Sequence, residues 1–456
     1  MKDGFVSHRK KTAINLTEGP IIKNLLLFAM PLFMGQLLQQ CYNVVDAWVV
    51  GNFGDNDAFA AVSSAGSVTH LIVGFFNGIS IGGGVIISKY FGAKEEENVV
   101  KSIHTVFLFG MIASILSTIV GLVLVPRMLV WMKTPESVIQ NSLMYFQIYF
   151  AGVSTVIMYN ICMSIMRALG DSVHPLYYLM FSSLVNVVLD LLFVAVFHWS
   201  VMGAAIATVI AQGLSVMLCI ARMRKICDYT RLDFGKLRFY RDIMLEVIKQ
   251  GLPTGIQNSV ISIGNITVQA NINSFGSYAM SGVGAFSKIE GFVFLPIMSM
   301  SMSLPTFISQ NLGAKKYERA KKGAVFGIVS GMILAELMGI FMNLNASSLL
   351  GVFVDTTESI LFGVTHIKVT SLFFFLLALT HCSAGVLRGC GKAFIPMVTM
   401  LVFWCGVRVA YVTAILKIIP EFQMISWAYP LTWTLSSIVL VGILLRLDWT
   451  KAFVKK

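Results

Sequence analysis

Residues 167–175 read RALGDSVHP, and residues 388–396 read RGCGKAFIP. Arg167, Gly170 and Pro175 recur as Arg388, Gly391 and Pro396, each 221 positions further on. The echo extends outward from there. Gly92-Ala93-Lys94 recurs as Gly313-Ala314-Lys315 at the same offset, while Pro31 and Phe53-Gly54 recur as Pro253 and Phe275-Gly276 at an offset of 222. Chance supplies one or two such matches, not an ordered set at a nearly constant offset. The chain therefore reads as a duplication.

What is duplicated is apolar. The 456 residues are 56% hydrophobic and 12% charged, with a mean hydropathy of +0.79. A soluble domain carries roughly 25% charged residues, so this chain has too little charge to coat a water-facing globule. Its apolar runs are long enough to cross a hydrocarbon core of about 30 Å. Twelve are expected, at 22–50, 58–88, 99–126, 137–166, 174–198, 201–224, 243–273, 278–310, 321–345, 358–386, 393–417 and 424–446. They are helical, because an open sheet leaves its backbone unsatisfied in lipid and barrel strands are short and alternating. The expected fold class is an all-α polytopic membrane protein, twelve transmembrane helices in two six-helix bundles. Six spans per half bring both halves in from the same side, which is a parallel pseudo-twofold repeat. The expected divisions are 1–225 and 243–456, with the polar stretch 226–242 as a cytoplasmic linker.

Loop charge orients the chain. With both termini cytoplasmic, the inside loops and tails hold 28 of the 34 Lys and Arg residues. They include Arg9, Lys10 and Lys11, then Lys89, Lys94 and Lys101, then Arg222, Arg224, Lys225, Arg231, Lys236, Arg238 and Arg241, then Lys315, Lys316, Arg319, Lys321 and Lys322. The outside loops hold only Arg127, Lys133 and Lys417, and Lys288, Lys368 and Arg408 fall in spans. This is the positive-inside pattern, and it accounts for the net charge of +12 without a nucleic-acid partner. The expected location is a bacterial inner membrane. No cleavable leader is expected, since the segment after Lys23 is too long for one and no small-residue cleavage site follows it. The seven cysteines form no CxxC pair and read as small buried hydrophobes.

Ionisable groups at membrane depth are costly and point to function. Asp46, Asp190, Glu290 and Glu336 are the acids inside spans. At 1.5 Å of rise per residue, Asp46, Tyr145, Asp190 and Thr208 lie about 8 to 12 Å from the outer ends of their spans, and Asn186 is one turn from Asp190 on the same face. Carboxylates, an amide and hydroxyls suit Na⁺ as hard oxygen ligands, and paired carboxylates suit H⁺ exchange. In the second half Asp46 maps to Val268, Asn186 to Val407 and Asp190 to Tyr411, with Arg408 beside them. The expected cation site is thus in the first half only. Gln39, Tyr42 and Asp46 form a polar stripe on span 1, after Pro31, which removes a backbone hydrogen bond and permits a bend. Gln39 and Tyr42 read equally well as packing between helices. Glu336 reads as structural, His70 and His381 as core histidines, and Arg408 as a structural cation of the second half. There is no Walker A loop, GxSxG or HExxH, so the chain is not expected to be an enzyme.

Longer stretches carry a resemblance. MPLFMGQLLQQCYNVVDAWVVG (30–51), ISKYFGAKEEENV (87–99), RALGDSVHP (167–175), NVVLD (186–190) and GAAIAT (203–208) are similar to segments of the MATE (multidrug and toxic compound extrusion) transporters. So are ISQNLGAKKYERA (308–320) and LRGCGKAFIPM (387–397) in the second half. The resemblance implies two bundles around a V-shaped cleft, and export of amphipathic organic cations coupled to Na⁺ or H⁺ without another cofactor. Asp46, Tyr145, Asn186, Asp190 and Thr208 match the cation-site positions of the DinF-like and MepA-like branch. Pro31, Gln39 and Tyr42 match the substrate cavity and the bend of helix 1. The acid that the NorM-like branch carries in helix 7 is absent, its place falling near the apolar Ile261. The expected function is a monomeric, cation-coupled multidrug antiporter with small amphipathic molecules and membrane lipid as partners. The alternatives are a flippase for a lipid-linked precursor and, more remotely, a membrane-embedded enzyme or channel.

Overall fold

The computed structural model describes residues 14–53, 56–131, 136–226, 235 and 237–453. The side chains of residues 46–71, Asp46 and His70 among them, lie outside the described residues, as do Arg9, Lys10, Lys11, Lys133, Arg231, Lys236 and most of the expected linker. Among the described residues there is no strand. The spans are α1 (Ile21–Phe53), α2 (Asn56–Gly92), α3 (Glu96–Trp131), α4 (Glu136–Ala168), α5 (Val173–Asp190), α6 (Ser200–Ile226), α7 (Arg241–Asn273), α8 (Ser277–Gly313) and α9 (Tyr317–Leu344). After a short helix, Ala346–Leu350, comes α10, Thr357–Thr370 and Phe374–Gly389 joined by a 3₁₀ turn. Two further spans follow. They are α11, made of Phe394–Met400, a π segment and Arg408–Ile418, and α12 (Phe422–Leu445).

Eleven of these are long and apolar enough to cross a membrane, and the chain is a multi-pass membrane protein. The exception is α7, which has the length, 33 residues, but carries Glu246, Lys249, Gln250, Gln257, Asn258 and Asn265. Partners absorb part of that polarity. Lys89 Nζ and Tyr90 Oη bond Glu246 at 3.1 and 3.3 Å.

The helices pack inside-out relative to a soluble core. On α9 the buried face is Gly323, Gly327, Gly331, Ala335 and Gly339, one small residue per turn. A Cβ at Gly323 would strike Phe307, one at Gly327 would strike Leu304, and one at Gly339 would strike the Ser371 carbonyl. The opposite face carries Val325, Val329, Ile333, Leu337, Phe341 and Leu344, all exposed. The exposed face of α3 is likewise Ile112, Ile115, Leu116, Ile119 and Val123. In lipid an apolar side chain gains little by burial, so helices associate through close backbone approach and dispersion, which favours small residues inside.

The duplication is visible in the backbone. Lys94 and Lys315 both adopt left-handed φ, 60° and 57°, and Gly170 and Gly391 do so at 88° and 76°. Each closes its helix with the same pair of bonds. Asp171 N–H reaches Met166 O and Gly170 N–H reaches Arg167 O, and Lys392 and Gly391 repeat this on Leu387 and Arg388. This is the Schellman cap, which satisfies orphan carbonyls and turns the chain sharply. What hangs on the cap differs. Buried Asp171 takes Arg222 Nη2 at 3.1 Å and His174 Nδ1 at 2.9 Å, tying the start of α5 to the end of α6, whereas the matching position is Lys392.

Contacts divide the chain into two compact units, one containing Met34–Gly255 and the other Leu16–Phe33 with Ile256–Lys456. The divisions fall inside α1 and α7, within three residues after Pro31 and Pro253. A helix interrupted by proline lacks one hydrogen bond and its two parts can follow different neighbours. In the second unit, Arg319 donates to the carbonyls of Leu16, Glu18 and Gly19, and Lys316 Nζ to that of Thr17. Loop cations that sequence reading treats only as orientation signals thus hold the segment leading into α1.

Candidate functional site

The site lies in the first unit where α5 changes its winding. On α5, Ser182, Asn186 and Asp190 recur every four residues on the buried face. Directly after Asp190 the helix widens into a π segment, Leu191–Val196. A π segment inserts a residue into the i, i+4 ladder, re-aims the side chains beside it and recurs at functional sites. Asp190 and Asn186 are 0% and 1% exposed. With its amide turned so that both groups are satisfied, Asn186 donates through Nδ2 to Asp190 Oδ2 at 2.8 Å and accepts from the Thr208 N–H at 3.2 Å. Thr208 Oγ1 donates to the Ala204 carbonyl on its own helix at 3.0 Å. Its two acceptor lone pairs remain.

A cavity of about 10 Å³ adjoins this cluster, room for one water-sized occupant. Gln39 and Tyr42 of α1, Ser182 and Asn186 of α5, and Thr208 and Gln212 of α6 supply its polar wall. α1 approaches α5 closely here, since a Cβ at Gly35 would sit 3.7 Å from Leu179. Five of the eight residues singled out from sequence therefore gather in one place: Gln39, Tyr42, Asn186, Thr208 and, bonded to Asn186, Asp190. Tyr145 is stacked on Tyr149 with ring centroids 6.1 Å apart and packs against Val194, Val201 and Ala204, next to the π segment that follows Asp190. Pro31 falls in the second unit, and the Asp46 side chain is outside the described residues. Sequence reading passed over Ser182 and Gln212. Both continue readable stripes, Ser182 four residues before Asn186 and Gln212 four after Thr208.

Among the described residues no three His, Cys, Asp or Glu side chains converge. The donors are instead amides, hydroxyls and a carboxylate. Such a set suits Na⁺, which takes hard oxygen ligands, or a proton, and not a transition metal.

The matching region of the second unit has different chemistry. α11 also carries a π segment, Leu401–Val407, and the buried charge beside it is Arg408. Its guanidinium donates to Thr432 Oγ1 at 2.9 and 3.2 Å and to Asn265 Oδ1 at 3.4 Å. It also stacks at 5.0 Å from the Trp404 ring and 4.6 Å from that of Tyr429. Arg408 is 2% exposed and is a clamp between α7, α11 and α12. Arg408→Ala should lower thermal stability by about 3 kcal/mol, as for emptying a large buried site, and reduce transport of all substrates alike. Unchanged thermal unfolding combined with a changed substrate range would contradict this role. Glu336 also acquires a partner, since its Oε2 accepts the Phe375 N–H at 3.2 Å, at the break inside α10. His381 lies among Phe294 and Trp404, in the core.

Among the described residues, twelve long helices, eleven of them apolar enough to span a membrane, together with duplicated backbone caps and a buried polar cluster beside a proline-interrupted helix, define the class as a duplicated-bundle membrane transporter. The MatE family model matches residues 31–192 and again 253–412. The chain belongs to this family, whose members are transporters, not enzymes, and need no cofactor. It is 29% identical over 309 residues to the probable multidrug resistance protein YpnP of Bacillus subtilis, covering 67% of this chain and 68% of that one. It is 25% identical over 431 residues to the probable multidrug resistance protein YoeA of the same organism, covering 92% of each. The multidrug export protein MepA of Staphylococcus aureus is 22% identical over 321 residues, 70% of this chain and 69% of that one. The fold superposes on a crystal structure of MATE in the bent conformation with a TM-score of 0.89 at 17% identity, over 96% of this chain and 98% of that one.

Proposed function

We propose that this chain is a cation-coupled antiporter that exports amphipathic organic cations by alternating access. It would sit in a bacterial inner membrane as a monomer with both termini cytoplasmic, its duplicated halves being 1–225 and 243–456. The multidrug names of YpnP, YoeA and MepA support the substrate class. The observation that carries the coupling is the buried Asp190–Asn186 pair beside a cavity walled by Gln39 and Tyr42. Na⁺ or H⁺ entering from outside neutralises the first-unit carboxylates, Asp190 with Asp46, and Asn186, Thr208 and Tyr145 complete the site. Neutralisation removes the cost of a buried charge and lets the α1 segment beyond Pro31 repack on α5. The ion and the substrate then favour different states. A ligand shifts such an equilibrium only through its differential affinity for those states.

The test is purified full-length protein in vesicles loaded with a fluorescent organic cation, under separately imposed Na⁺ and pH gradients. Dye movement against its own gradient under one or both is expected. Dye that only equilibrates, whichever gradient is applied, would overturn the reading and leave the flippase or channel alternatives.

A further inference from the structure

On the orientation proposed above, the cytoplasmic end of α12 carries a groove that the transport site does not use. Its volume is about 430 Å³, and Lys392, Ile438, Gly442, Ile443 and Arg446 line it. Lys392 comes from the turn after α10, and the other four from α12 and its end.

The two faces of α12 say what the groove opens onto. The buried face carries hydroxyls among its apolar residues, with Thr432, Ser436 and Ser437 bonded within the unit. From Trp427 on, the exposed face runs Trp427, Leu431, Ile438, Gly442 and Leu445, all apolar, with Gln423 one turn before them near the helix start. A spanning helix that turns its hydroxyls inward and its large apolar side chains outward faces hydrocarbon on the second side. Gly442 interrupts that stripe. A Cβ built there meets nothing within 4 Å, so no packing contact requires glycine, and alanine would favour the helix by about 1 kcal/mol. Glycine here leaves a notch in a lipid-facing wall, and Arg446 stands one turn beyond it.

Charge completes the picture. Lys392 occupies the repeat position of Asp171, but where Asp171 is paired with Arg222 and His174, neither Lys392 nor Arg446 forms an ion pair among the described residues. The acid that follows α12, Asp448, is taken by Lys451 at 3.2 Å and by Thr450. Two uncompensated cations at the mouth of an apolar notch match an amphiphile with an anionic head. Basic pockets at the cytoplasmic ends of spanning helices recognise such headgroups. We infer that this groove binds an anionic phospholipid of the cytoplasmic leaflet, its phosphate at Lys392 and Arg446 and the start of an acyl chain at Gly442. A free phosphate would use the cations but not the apolar walls.

Native mass spectrometry of the full-length protein, titrated in detergent with phosphatidylglycerol, phosphatidylcholine or inorganic phosphate, tests this. Phosphatidylglycerol should be retained preferentially, and inorganic phosphate should not displace it. The Lys392→Gln/Arg446→Gln variant should bind it about 25-fold more weakly, about fivefold per cation, with phosphatidylcholine unchanged. Gly442→Leu keeps both charges and fills the notch, and should weaken phosphatidylglycerol on the order of tenfold, the worth of about two buried methylenes. Equal retention of both lipids, or a charge variant with wild-type selectivity, would overturn the proposal. Displacement by inorganic phosphate with no effect of Gly442→Leu would overturn it in favour of a soluble-anion site. None of these readouts depends on transport, so they stand or fall apart from the antiport reading.

Discussion

Asp190→Asn should abolish gradient-driven efflux while the protein still reaches the membrane in normal amount. The substitution keeps the shape of the side chain and its hydrogen-bonding reach to Asn186, which lies 2.8 Å away. What it removes is the charge. An amide neither releases a proton near neutral pH nor neutralises a bound Na⁺. Loss of a charged hydrogen-bond partner of this kind is worth up to ~3 kcal/mol, so coupled transport should fall on the order of 100-fold. The measurement is dye efflux from reconstituted vesicles, with membrane abundance and thermal unfolding as controls. Efflux at the wild-type rate would remove Asp190 from the mechanism.

Gly82→Leu should destabilise the first unit strongly. Gly78 and Gly82 on α2 face Gly255 and Gly251 on α7, all within the first unit. A Cβ at Gly82 would lie inside the contact distance of the Gly251 backbone, and one at Gly78 inside that of Gly255. These are two GxxxG pairs facing one another, with backbones in direct contact. Neither helix can relax by a side-chain rotation, because the atoms in the way are main chain. Forcing them apart should cost about 3 kcal/mol and lower the thermal midpoint on the order of 10 °C. Gly284→Ala, on α8 with nothing within 4 Å of its Cβ, is the control and should unfold like the wild type. Equal midpoints for Gly82→Leu and Gly284→Ala would show that the crossing does not hold the unit together.

The membrane fold was readable because it rests on properties that are local in sequence. Apolar runs, loop cations and the Arg-Gly-Pro echo need no partner to be recognised. α7 shows where that stops. It reads as one of the apolar runs, 243–273, yet its polar residues leave it short of the composition of the other eleven. The reason it tolerates them is tertiary, as in the bonds from Lys89 and Tyr90 to Glu246. The site was legible to the same degree. Asn186 and Asp190 share a helix face by spacing alone, but that Gln39 and Tyr42 turn toward them depends on the azimuth of α1 against α5. Depth along a helix axis carries no information about azimuth.

The sequence by itself determined that this is a duplicated, all-helical membrane protein, because hydropathy and repetition are sums over residues. It also determined that the two copies differ in chemistry, since Asp190 has Tyr411 as its mate. The tertiary structure alone decided what the differing residues do. The π segments after Asp190 and before Arg408 depend on how each helix packs. Pairing Arg408 with Thr432 and Asn265, and Asp171 with Arg222, requires helices distant in the chain to meet. A buried charge is tolerated only where such partners converge, and convergence is a property of the fold, not of any stretch of sequence.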